Sequence, residues 1–107
     1  GANETNCVGA MASIDAAGRS ADIGVIGVDN SQVLLDALQN ENSSLIATIA
    51  QSPTEMGRIS IETAYAVITG GDYEEEVGTE LTTINRDNVL DYIASQEELQ
   101  ESIAAYK

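Results

Sequence analysis

Two short runs with almost no polar residues, Ile23-Gly24-Val25-Ile26-Gly27-Val28 and Leu45-Ile46-Ala47-Thr48-Ile49-Ala50, constrain this chain more than any other feature. Neither run alternates with polar residues, and that is the pattern of strands in a parallel sheet covered on both faces. Asp29-Asn30-Ser31 ends the first run and offers N-cap side chains to a helix. Val33, Leu34, Leu35, Ala37 and Leu38 form that helix's apolar stripe, and Asn40 to Ser44 is a polar turn into the second run. Strand, helix, strand is the crossover that parallel pairing requires. Hydrophobic residues make up 43% of the 107, and the only aromatics are four tyrosines, so the core is built from Ala, Val, Ile and Leu. One domain with a real core fits this length.

The rest of the chain continues the alternation. Asn3 to Ala17 reads as a helix, with Val8, Met11 and Ile14 at intervals of three and Gly18 as its stop. Ser52-Pro53-Thr54-Glu55 is a strong helix start: Ser52 suits the cap, Pro53 the first turn, and Glu55 can close a capping box. The helix that follows carries Met56, Ile59, Ala64, Val67 and Ile68 and stops at Gly70-Gly71. An acidic loop, Asp72 to Glu76, leads to a strand over Glu80 to Ile84. Asn85 is expected to cap a short helix through Ile93. Ser95 to Glu98 repeats the capping-box spacing and opens a last helix, Gln96 to Lys107, with its stripe at Leu99, Ile103 and Tyr106. The predicted order is αβαβαβαα, an α/β fold with a mostly parallel sheet flanked by helices. The chain opens on a helix cap with no strand before it, as though cut in the middle of a βα unit.

Charge and residue usage exclude several function classes. Eighteen acidic against four basic residues give a formal charge of −14, which repels phosphate backbones and argues against a nucleic-acid partner. The single cysteine, Cys7, can form no internal disulfide, and with no histidine in the chain it lacks a base to activate it. The missing histidine also removes the commonest metal ligand and general base. Three adjacent carboxylates, Glu74-Glu75-Glu76, lack the alternating ligand positions of a calcium loop. Gly24 and Gly27 lie inside a strand and not in a loop opening a helix, so they make no dinucleotide fingerprint. No cofactor, no metal and no catalytic constellation is expected.

Polar residues do stand at three equivalent places: Asn3 before the first helix, Asp29 after the first strand and Gln51 after the second. In an open parallel sheet the carboxyl ends of the strands converge on the ligand crevice. Asn, Asp and Gln together donate and accept hydrogen bonds with fixed planar geometry, which suits a polyhydroxylated ligand. Each also has a plain alternative as a helix cap or loop residue.

The stretches Gly1-Ala2-Asn3-Glu4, Val25-Ile26-Gly27-Val28-Asp29 and Ile46-Ala47-Thr48-Ile49-Ala50-Gln51-Ser52-Pro53, with Thr82 to Val89 behind them, resemble the C-terminal half of type 1 periplasmic binding proteins. The ribose-, galactose- and xylose-type sugar receptors of ABC transporters are the nearest in pattern, over roughly residues 1–93. The resemblance implies that Asn3 and Asp29 hydrogen-bond the sugar and that Gln51 contacts it at a hinge crossing. Val28 stands where many such receptors place an aromatic ring against the sugar. It also implies that 1–50 belong to the second lobe, 51–79 are contributed to the first, and 80–107 return to the second and add the last helix.

A sugar ligand, a membrane permease as partner and a periplasmic or extracellular location, free or lipid-anchored, follow from the same resemblance. The effector domain of a LacI-type regulator shares the fold, but regulators of that type usually carry Leu-Thr-Thr before the hinge helix, where this chain has Thr48-Ile49-Ala50-Gln51. As a fragment, the chain is expected to self-associate, exchange segments or pair with a missing N-terminal portion.

Overall fold

The helix expected from Asn3 forms as α1 (Glu4–Ala16) in the computed structural model, which describes residues 1–106. Asn3 adopts extended backbone, and its side-chain oxygen accepts from the Asn6 N–H at 3.0 Å, the geometry of an N-cap. Gly18, at φ +66°, supplies the left-handed residue that turns the chain after the helix. β1 (Val25–Val28), α2 (Gln32–Gln39), β2 (Leu45–Ala50), α3 (Pro53–Thr69), β3 (Thr82–Asn85) and α4 (Val89–Ala105) follow. β1 and β2 pair in parallel and the sheet order is β1-β2-β3, so the expected α/β architecture is present.

Several local expectations change. The two short helices predicted at the end are one, because nothing between Leu90 and Ala105 breaks a helix. The Ser95 hydroxyl donates back to the Tyr92 carbonyl and caps nothing. Asn85 forms a turn by accepting from the Asp87 and Asn88 N–H groups, and Asn88 is the residue that starts α4. Ser52 is the N-cap of α3 with Pro53 after it, but no capping box closes: Glu55 pairs instead with Arg58 at 2.6 Å. That partner's hydrogen bonds hold the Glu55 carboxyl below its ordinary range. Lys107, the end of the predicted last helix, lies outside the described residues.

The two faces of the sheet differ sharply. On one, Val25, Leu45, Thr48 and Ala50 are buried, and Gly27 lies against Cys7 of α1. Val25, Leu45, Ala50 and Cys7 join Leu34, Leu35 and Leu38 of α2, with Ile84 and Val89, in a single core. On the other face Ile26 is 55% and Ile46 48% exposed. Strands buried on both faces were expected; within the described residues only one face is covered. Val33, placed in the buried stripe by sequence, is also half exposed. The register slips by one residue where Ile26 pairs with Ala47, leaving Ile46 as the extra residue of a bulge.

Gly1–Ala50 with the chain from Thr83 onward form one compact unit, and Gln51–Thr82 form another. The core just described belongs to the first. In the second, α3 ends on Gly70 at φ +72° and buries none of its residues. Ile61, Tyr65 and Ile68 of that helix are mostly exposed.

Candidate ligand-binding site

The structure brings Asn3, Val28 and Asp29 together at the start of α1. Backbone geometry does this first. The Gly1 amino nitrogen donates to the Ile26 carbonyl, so the residues leading into α1 run beside β1. Asp29 then leaves β1 at φ +97°, left-handed backbone that Asp tolerates better than most residues but that still costs about 1–3 kcal/mol.

Its carboxylate does not cap α2, the helix that follows it. One oxygen, Oδ2, instead accepts from the Glu4 N–H of α1 at 3.1 Å, across 25 positions of sequence. The N-cap of α2 is Ser31, whose buried hydroxyl has no partner among the described residues.

Asn3 and Asp29 thus both serve the first turn of α1, and each uses one atom to do so. Asn3 spends its oxygen on Asn6, leaving its Nδ2 donors without a protein partner among the described residues. Asp29 spends Oδ2 on Glu4, leaving Oδ1 as an acceptor. Capping and ligand binding are therefore compatible in this geometry. A donor and a charged acceptor are thus left over at the first turn of α1, where the backbone dipole favours negative charge. Val28, half-buried, ends β1 on the face away from the helices and adds an apolar neighbour. Asn30, next in the chain, donates to the Tyr92 hydroxyl of α4 at 2.6 Å and ties the loop to the core.

Gln51 directly follows β2, is exposed, and opens the second unit ahead of Ser52. Its side chain makes no hydrogen bond among the described residues, so both its donor and its acceptor are free.

Sequence reading missed Thr48. It is fully buried in a strand of aliphatic residues, and its hydroxyl donates to the Asp29 carbonyl at 2.7 Å. The signal was present: one hydroxyl inside Leu-Ile-Ala-Thr-Ile-Ala must find a partner if buried. Cys7, also fully buried, has its thiol pushed above the ordinary value by burial, against a smaller opposing pull from the Gly1 amino group. It is a core residue, not a nucleophile. A groove of about 470 Å³ between α1 and α2 reaches Ser43 and Ser44, which precede β2, so it lies toward the opposite ends of the strands from Asp29. No cluster of three metal-ligating side chains occurs among the described residues, and no helix there is long and apolar enough to cross a membrane.

Comparison with known proteins bears on the family and the fold. The periplasmic binding protein domain family matches residues 1–72. No curated protein matches the chain. Among solved structures, an ABC transporter solute-binding protein from Agrobacterium vitis with bound allitol is 28% identical, with a TM-score of 0.78 over 88% of this chain and 32% of its own. A second from the same organism, bound with α-D-tagatopyranose, is 31% identical with a TM-score of 0.77, over 88% of this chain and 31% of its own. An ABC sugar transporter subunit from Rhodobacter sphaeroides is 25% identical with a TM-score of 0.71, over 81% and 30%. The chain spans about a third of the length of these proteins, which are transport proteins and not enzymes. With two thirds of its residues matched and its α/β order shared with solute receptors, the chain belongs to the periplasmic binding protein domain family.

Proposed function

We propose that this chain supplies one wall of the ligand cleft of an extracytoplasmic solute-binding protein that delivers a monosaccharide or similar polyol to an ABC transporter. The observation that carries the reading is the pairing at α1: Asn3 Nδ2 and Asp29 Oδ1 are left over after both side chains have served the helix. A vicinal diol both donates and accepts, so it can bridge such a pair, and the bond to the carboxylate is charge-assisted. Gln51 adds an amide able to do either. Val28 supplies apolar contact without an aromatic ring. The allitol and α-D-tagatopyranose in the two Agrobacterium vitis relatives support a ligand of this class.

In the same reading, residues 1–50 and 80–107 belong to the second lobe and 51–79 to the first, with lobe closure on ligand about crossings near Gln51 and Glu80. The division of the chain at Ala50 and Thr82 supports that assignment. The partner is the transporter's membrane permease, and the full-length protein works outside the cytoplasm, free or lipid-anchored. Calorimetric titration of the full-length protein with pentoses, hexoses and hexitols tests the proposal. Saturable binding of at least one, weakened by Gln51→Ala, is expected; heatless titrations across the panel would refute it.

A further inference from the structure

We infer that Thr48 is a positioning residue for the ligand contact: its hydroxyl fixes the backbone of Asp29 so that one carboxylate oxygen meets α1 and the other faces the ligand. Asp29 is the only non-glycine residue at positive φ among those described, so its conformation needs external support. Both of its backbone polar groups are held. The N–H donates to the Ile49 carbonyl at 3.0 Å, and the carbonyl accepts from Thr48 Oγ1 at 2.7 Å. The first bond continues the parallel ladder. The second comes from a side chain with no solvent exposure, so water does not compete for it.

Room for that hydroxyl is made by Gly27. A Cβ built there would lie 3.1 Å from Thr48 Oγ1 and 2.8 Å from Cys7 Sγ. Glycine at this strand position therefore lets α1 and Thr48 approach together, beneath the residue whose carboxylate is being aimed. From Thr48 to the Asp29 carbonyl, and from the Asp29 carboxylate to the Glu4 N–H, the chain of contacts couples β2 to the first turn of α1. A buried hydroxyl needs some partner, and the one Thr48 takes is the carbonyl of the one left-handed residue of the site.

Only the last step, contact with ligand, rests on the proposed function, so the test has two arms. In full-length protein labelled with ¹⁵N, the exchange rate of the Glu4 amide reads Asp29 orientation without any ligand. Thr48→Val, which keeps shape and removes the hydroxyl, is expected to speed that exchange by about tenfold, the scale of one lost hydrogen bond. Thr48→Ser, which keeps the hydroxyl, should restore the wild-type rate. In the second arm, affinity for D-tagatose and for allitol should fall with Thr48→Val and recover with Thr48→Ser. Unchanged Glu4 exchange in Thr48→Val, or equal loss in both variants, overturns the positioning role. Faster exchange with unchanged affinity leaves the Thr48–Asp29–Glu4 geometry standing and overturns its link to ligand.

Discussion

Leu45 and Ile46 are neighbours in one strand and both are large aliphatics, yet Leu45 is fully buried under the helices and Ile46 is 48% exposed on the opposite face. The same split divides Val25 from Ile26 in β1. α2, the crossover between the paired strands, lands on one face, and α1 packs on that face too through Cys7. What covers a strand is set by where the connections land, not by the strand's own composition. An apolar run states that a face is suited to burial; only the topology says whether these residues supply the cover.

The largest expected effect contrasts those two residues. Leu45→Ala should destabilise the chain by about 2–5 kcal/mol, because it empties a closed site. Ile46→Ala should cost under about 0.5 kcal/mol, as an exposed position. Urea unfolding of the two variants measures both, and equal costs would break the contrast. Next come the glycines beneath the same faces. Gly27→Ala forces a Cβ to 2.8 Å from Cys7 Sγ and is expected to cost about 1–3 kcal/mol by overpacking. Gly24→Ala meets the Ile46 side chain, Cδ1 at 3.1 Å and Cγ2 at 3.3 Å, on the open face where that side chain can give way, and should cost less than Gly27→Ala in the same assay.

Asn3→Ala should follow at about 1 kcal/mol, the worth of a helix cap, visible as lower helix content by circular dichroism near the transition. The smallest effect is in pH dependence. Burial raises the folded Cys7 thiol above its unfolded value, so its contribution is complete below the unfolded pKa and is lost as pH rises through the folded one. Tm should therefore decline above about pH 9, and Cys7→Ala should flatten that decline.

Much of the fold could be read from the sequence where the signal is local. Asn3 as a cap, Gly18 and Gly70 as left-handed stops, and Pro53 in the first turn of α3 all occur where spacing placed them. Two local signals misled. Ser95 to Glu98 has capping-box spacing but follows Tyr92-Ile93-Ala94 with no breaker, so continuing the helix costs nothing. Ser52 and Glu55 have it too, but Arg58, one turn on, competes for the carboxylate and wins through two hydrogen bonds.

At the candidate site, the sequence named the residues and not their partners. Asp29 was legible as a strand-end acid that could cap the helix after it. That it caps the helix before it depends on a left-handed turn and a buried hydroxyl contributed from 19 positions away. Such contacts carry no local pattern. Thr48 shows the one clue available, a polar residue where composition calls for an aliphatic one.

The central claim is that Asp29 keeps one carboxylate oxygen for α1 and offers the other to a sugar. Titrating full-length Asp29→Asn against the wild type with the best-bound sugar tests it most directly, because asparagine tolerates the left-handed backbone, keeps one oxygen for the Glu4 N–H and replaces the other, charged acceptor by an NH2 donor. The account predicts an affinity lower by about tenfold to a hundredfold, the worth of a charge-assisted bond. Wild-type affinity in that variant would contradict it.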